Sequence, residues 1–328
     1  MLRRTLLALL LLLAAAPAFA RSDAAPLRVV VSIPPLVWPV EALLKGDGAP
    51  IPATVSLLLR PGVSEHGFEL TPSQIADVQR ADLVVMAGYG LEGRLTDALT
   101  RKPRSDRQTL TLEGLVEPIV ADHDHSKCEH GHDHGQSHDH AAGLTDPHLW
   151  LDPVAMRAFI DRLEAALRER LATLPEARRA PALEALTSRA AAARAVCDEI
   201  HAQYQTAIVP LTRRAIVTHH NAYAYLCRRY GLEVAAVIRP TETAEPTPGD
   251  IMTAVKALRE RRAAAVFVEP QFPAGAAKRI ADTARVRLES IDPLGDGDWP
   301  ALMRANLTAL VRGLSAEAPA PTGIPAPR

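Results

Sequence analysis

Seven of the chain's twelve histidines crowd into one stretch, "HDHSKCEHGHDHGQSHDH" at 123–140, with four acidic residues and Cys128 between them. His123, His125, His130, His132, His134, His138 and His140 all offer imidazole nitrogens, the donors that suit zinc, copper, iron and nickel. The stretch has no apolar side chain and no periodicity. Its backbone therefore reads as a solvated loop, which binds several ions weakly with adjustable geometry but cannot hold one at fixed angles. An accessory metal loop, an antenna or sensor, fits it better than a principal site; the bland alternative is an inert solubilising loop.

Five histidines lie elsewhere: His66, His148, His201, His219 and His220. His201 falls beside the apolar stripe of a helical pattern and reads as surface or packing. His66 sits in "RPGVSEHGFELTPSQ", a Pro/Gly-broken loop just past an apolar run, and His148 in "DPHLWLDP", directly before a helix. His219 and His220 end another apolar run, as do Glu269 in "VFVEPQF" and Asp292 in "SIDPLG". Ligands of open α/β sheets bind beyond the carboxyl ends of the strands. The expectation is a three-histidine site between two lobes, and imidazole with one carboxylate suits zinc, whereas manganese and magnesium prefer more oxygen.

The elements that must position these residues are short β-branched runs alternating with helical patterns. "LRVVVSI" (27–33), "TVSLLL" (54–59) and "DLVVMAG" (82–88) read as buried parallel strands. The pattern restarts with "RAIVTH" (214–219), "EVAAVI" (233–238), "AAVFVE" (264–269) and "RLESID" (287–292). The fold class is therefore α/β, with two βα lobes whose sheets are mostly parallel. Between them, Met156, Phe159, Ile160, Leu163, Leu167 and Leu171 mark one helical face, stopped by Pro175. A second helix is predicted over 181–205, with Pro181 near its start, where proline is tolerated. At about 35 Å it is long enough to join the lobes stiffly. The division is a first lobe over 27–152 that includes the loop 122–140, a helical region over 153–207, and a second lobe over 208–314. The Pro/Ala-rich residues 315–328 read as a disordered tail.

The opening "MLRRTLLALLLLLAAAPAFA" has two arginines, an apolar run shorter than the ~20 residues of a membrane span, and an A-x-A-like end. It reads as a signal peptide cleaved near Ala20. No cysteine follows it, which argues against a lipid anchor. The expected location is the periplasm. Lys plus Arg (37) nearly cancels Asp plus Glu (38), without a basic block, so a nucleic-acid partner has no support. Three cysteines are too few for a disulfide scaffold, though export would permit a Cys197–Cys227 bridge.

Five motifs, "PGVSEHGFELTPSQ", "ADLVVMAGYGLE", "DPHLWLDP", "HNAYAYLCRRYGLE" and "VFVEPQF…IDPLG", follow one another in this chain. In that order they resemble the zinc-binding periplasmic proteins of ABC importers, the cluster A-I metal-binding family, over nearly the whole mature chain. The resemblance implies two βα lobes joined by a long rigid helix, with Zn2+ in the interlobe cleft. It implies His66, His148 and His220 as ligands, with Glu65, Asp292 or water as the fourth. His219, where the family has an aromatic or apolar residue, would pack beside the site. Asn221 replaces the commoner aspartate, and Glu269 matches a motif read as structural. The family's second-lobe disulfide is absent, since Ala265 stands where its cysteine would be.

The function so implied is high-affinity capture of Zn2+ and its delivery to an inner-membrane ABC permease. A periplasmic zinc chaperone is a further implied partner, and the protein would be a monomer and not an enzyme. The alternatives are a manganese or iron component of a related importer, whose members tend to pair two histidines with two carboxylates, and a zinc hydrolase. Three histidines with an open position could activate water, but no separate general base or oxyanion motif is evident.

Overall fold

A computed structural model describes residues 26–66, 69–120, 145–239 and 246–315. The leader, the histidine tract and residues 316–328 of the expected tail lie outside the described residues, while Ser315 closes the last helix. In the first lobe, β1 (Leu27–Val31), β2 (Ala53–Leu57), β3 (Leu83–Val85) and β4 (Gln108–Leu110) alternate with α1 (Val37–Leu44), α2 (Pro72–Arg80) and α3 (Gly93–Arg101). All pairings are parallel, in the order β2-β1-β3-β4. The second lobe repeats the plan: β5 (Ala215–Thr218), α6 (Ala224–Tyr230), β6 (Glu233–Val237), α7 (Pro248–Glu260), β7 (Ala265–Val268), α8 (Gly275–Ala284), β8 (Arg287–Ser290) and α9 (Trp299–Ser315). Its parallel order is β6-β5-β7-β8.

The seven strands expected from β-branched runs are present with ends shifted by up to three residues: β2 starts one residue earlier than expected, and β3 stops three residues short. β4 was not foreseen, because "QTL" is three residues long and lies on a sheet edge after an Arg/Ser/Asp-rich turn. α4 (Pro153–Leu171) buries the foreseen face, from Met156 to Leu171. Asp152 caps it by accepting the Val154 N–H at 3.0 Å, and Pro153 takes the first position, where no N–H is needed.

α5 (Glu176–Ile208) corrects the expected start at Pro181: it begins five residues earlier and carries that proline inside. One hydrogen bond is lost there. The alanine-rich sequence around it has high helix propensity, and Ala182, Ala185 and Leu186 are buried, which offsets the loss. The helix is about 50 Å long, at 1.5 Å per residue.

One apolar core runs through both lobes, from Val29 and Val31 in β1, through Leu163 and Leu186, to Ile216, Phe267 and Leu310. Polar ties cross the same seam. Trp150 Nε1 donates to Pro293 O at 2.6 Å, and Trp299 Nε1 donates to Trp150 O at 2.7 Å. Arg229 of α6 holds the buried Asp152 with both arms, at 3.0 and 2.6 Å. Breaking such contacts would expose apolar core and strand a buried carboxylate, so the seam resists opening. Among the described residues no helix is long and apolar enough to cross a membrane. Cys197 and Cys227 are both buried free thiols rather than a bridge.

Candidate metal centre

Glu65, His66, His148 and His220 converge at the carboxyl ends of the strands, one ligand atom from each lying within 4.8 Å of all the others. His220 stands two residues beyond β5, a central strand. His66 and Glu65 come from the loop that leaves the edge strand β2. Its first residues still follow the sheet, with Leu58 N and Leu59 N donating to Val31 O and Ser32 O. Gln74 then ties the loop down: its Nε2 donates to Leu58 O at 2.7 Å, while its backbone and side chain complete the capping box with Thr71.

His148 precedes a 3-10 turn, Leu149–Leu151, whose three side chains are fully buried. The strand-like bridge Val120–Thr145 and the bond from Asp146 N to Ile119 O bring its segment in beside β4's continuation. Tyr225 OH of α6 accepts from Ile119 N and donates to Asp146 O, so the second lobe helps hold it.

The spacing is that of a metal polyhedron. His148 Nε2 lies 3.3 Å from His66 Nε2, 3.4 Å from His220 Nε2 and 3.4 Å from Glu65 Oε1. Glu65 Oε1 is 3.6 Å from His220 Nε2 and 3.9 Å from His66 Nε2. Zinc–ligand bonds of about 2.0–2.1 Å in a tetrahedron require edges of about 3.3–3.4 Å. Glu65 Oε1 is also buried, with no partner nearer than His148 Nε2 at 3.4 Å, so its charge is offset only by the two imidazoles or by a cation between them. The residues therefore fit a tetrahedral divalent ion held by three nitrogens and one oxygen.

Two of the rings are aimed by carboxylates. His148 Nδ1 lies 2.8 Å from Asp146 Oδ1, which also accepts the His148 backbone N–H. His220 Nδ1 lies 2.5 Å from Glu269 Oε2, and Glu269 Oε1 accepts the His220 N–H. A proton on each Nδ1 leaves the Nε2 lone pair directed at the shared centre. Neither role was legible in the chain. Asp146 hid inside the "DPH" turn, and Glu269, read as structural, meets His220 only because β5 and β7 are neighbours.

Burial opposes the charged form of both imidazoles. Asp146 and Glu65 outweigh it at His148, whose pKa rises to about 9, and Glu269 and Glu65 do so at His220, whose pKa rises to about 10. Burial also opposes ionisation of Glu65, yet the two imidazoles hold its carboxyl well below the usual range. Without a metal, the centre stores protons where the cation would sit.

The other candidates stand apart. Asp292 is outside the group; it lies beyond β8, which β7 separates from the His220-bearing β5. Its Oδ1 is occupied by Gln271 Nε2 at 2.7 Å and Leu294 N at 2.9 Å. His219 packs against Phe272, ring centroids 4.7 Å apart; burial, then Arg239 and His220, lower its pKa to about 4. His201 meets the Tyr230 hydroxyl at 3.0 Å. The histidines of 123–140 lie outside the described residues.

Two parallel sheets with donors from both converging in the cleft define a two-lobed cation-binding protein. The sequence profile described as zinc-uptake complex component A, periplasmic, matches residues 29–313, and the chain belongs to that family. It is 29% identical over 279 residues to the high-affinity zinc uptake system protein ZnuA of Yersinia pestis, covering 82% of this chain and 83% of that one. It is 25% identical over 301 residues to the zinc-binding protein AdcA of Streptococcus pyogenes serotype M3, covering 86% of this chain but only 55% of that protein. A solved crystal structure of ZnuA superposes with a TM-score of 0.71 at 22% identity, over 88% of this chain and all of that one. That likeness establishes the fold.

Proposed function

We propose that the protein captures Zn2+ in the interlobe cleft through Glu65, His66, His148 and His220, and delivers it to an inner-membrane ABC permease. The observation that carries this reading is the set of four donor atoms within 4.8 Å of one another, three of them imidazole, with His148 Nε2 at 3.3–3.4 Å from the other three. Three nitrogens and one carboxylate favour zinc over manganese, which prefers oxygen ligands in six-coordination. Membership of a zinc-uptake family and the names of the relatives support the same cargo.

In this reading residues 27–152 and 208–314 are the two lobes, with 153–207 as the stiff link between them. The chain is exported by the leader that ends near Ala20 and works as a monomer in the periplasm. The 123–140 tract gathers zinc near the cleft, and a periplasmic zinc chaperone is a further partner. The test is calorimetry of the metal-free mature protein with Zn2+ and Mn2+. One tight zinc ion that survives deletion of 123–140 is expected. Tighter manganese binding, or no tight ion at all, would refute the reading.

A further inference from the structure

Glu92 is a buried carboxylate that supplies no donor to the metal centre. It is 2% exposed and lies past β3, at the N-terminus of α3. Its Oε1 accepts from Ser32 Oγ and from Ala87 N, both at 2.7 Å, and its Oε2 from Gly88 N at 3.0 Å. Among the described residues no cation pairs with it. Burial raises its pKa, and these donors offset the rise only in part. A carboxylate buried without a cation is a poor means of gaining stability.

The chain bends hard to make those bonds. Gly88, Tyr89 and Gly90 follow one another with positive φ, at 92°, 50° and 83°. Tyr89 is the costly member, since a side chain meets its own backbone there. The run closes the amides of Ala87 and Gly88 on Glu92, while Tyr89 N donates to Glu113 Oε1. Strain and an uncompensated carboxylate in one loop point to a functional demand rather than to packing.

What Glu92 holds is the point where the ends of three strands meet. Ser32 directly follows β1. Its N–H donates to Val85 O at the end of β3, and its carbonyl accepts Leu59 N beyond β2, each at 2.9 Å. Its hydroxyl is the group that donates to Glu92. Leu59 begins the loop that delivers Glu65 and His66. The second lobe follows the same plan: a buried carboxylate past its third strand, Glu269, reaches a residue just past its first, His220. There the residue held is itself a ligand. In the first lobe it is the root of the ligand-bearing loop.

We propose that Glu92 is a positioning residue of the metal centre: through the Ser32 hydroxyl it sets the origin of the loop that carries Glu65 and His66. This assignment rests on the zinc-capture reading above.

A double-mutant cycle on zinc affinity, read by competition with a chromophoric chelator in the full mature protein, tests it. Glu92→Gln and Ser32→Ala should each weaken zinc about ten-fold, the low end for groups that orient metal ligands from behind. Both should cost the same again in a His220→Ala background. In a His66→Ala background, where one positioned ligand is gone, the loss should shrink to about three-fold or less, because the two changes remove parts of one interaction. A merely structural role would cost equally in both backgrounds. Ser32→Ala, the smaller change, carries the test if Glu92→Gln does not fold. No tight zinc ion in the parent protein would sink the capture reading itself. A tight ion that neither variant weakens, or losses of equal size in the His66→Ala and His220→Ala backgrounds, would overturn this assignment alone.

Discussion

The two lobes share a strand order but supply the centre in different ways. The second lobe brings His220 two residues beyond a central strand, and the neighbouring strand delivers Glu269 onto the same ring. The first lobe brings Glu65 and His66 on a long loop leaving an edge strand, and His66 remains 26% exposed while His148 and His220 are 4% and 3% exposed. A central strand with a carboxylate beside it fixes a ring before any ion arrives. An edge-strand loop leaves its ring nearer to water. The centre thus has a preformed wall, His148 and His220, and a more accessible side at His66.

The largest effect should come from the preformed wall. His148→Ala and His220→Ala are each expected to weaken zinc by well over the about 100-fold associated with carboxylates that orient metal-bound histidines. His66→Ala should weaken it less, because water can replace a ligand on the accessible side. Competition against a chromophoric chelator ranks the three. A His66→Ala loss equal to the others would erase the distinction between the two sides, and a large loss in His219→Ala with none in His220→Ala would move the site by one residue.

Proton competition should come next. The ordinary histidine pKa would place it below about pH 6.5. In the metal-free protein His148 and His220 instead titrate near 9 and 10, so both hold protons at neutral pH and must release them to bind a cation. Zinc affinity should therefore already fall between pH 9 and pH 7, by up to about 100-fold per pH unit if both protons leave. Calorimetry in buffers of differing ionisation enthalpy counts the protons; a count near zero at pH 7 would contradict the raised values. The sign for metal-free stability is opposite. A raised folded-state pKa contributes stability that is complete below about 6.5 and lost as the pH climbs through 9 to 10, so the metal-free protein should melt lower at pH 10 than at pH 7.

The carboxylates behind the wall give a smaller change. Glu269→Gln and Asp146→Asn should each weaken zinc about 10–100-fold while leaving one ion bound. These are also the residues that the amino-acid sequence hid most completely. Strand ends are legible because β-branched runs stop at Gly, Pro or polar residues, and that brings His66 and His220 into view, while His148 shows in the Asp/Pro-flanked turn before a helix. A partnership such as His220 with Glu269 spans 49 positions and depends on which strands become neighbours. Asp292 follows an apolar run as Glu65 does, yet its Oδ1 is taken by Gln271 Nε2 and the Leu294 N–H, contacts that lie far apart in the chain or depend on the folded turn. Pro181 misled in another way, since a local rule about proline yielded to the propensity and packing of the alanines around it.

The smallest effect on the tight ion should come from removing 123–140. The chain leaves the described fold at Val120 and returns at Thr145, and those two residues are bridged, with His148 three positions further on. The described residues that flank the tract therefore lie next to each other, near the wall. Ordering a polar segment around an ion costs roughly 1–2 kcal/mol per residue in backbone freedom, so only a few residues can be fixed before the binding gain is consumed. The cleft donors avoid most of that cost, because strands and carboxylates already hold them. Deletion should abolish weak, multiple zinc binding and leave one tight event unchanged within about two-fold, well under the loss from the carboxylate variants. A growth defect should appear mainly when zinc is scarce, when local capture and transfer to the cleft matter. Should the tight event vanish with the tract while Glu65, His66, His148 and His220 are intact, the preformed wall would not be the principal site, and the contrast between the two lobes would lose its functional meaning.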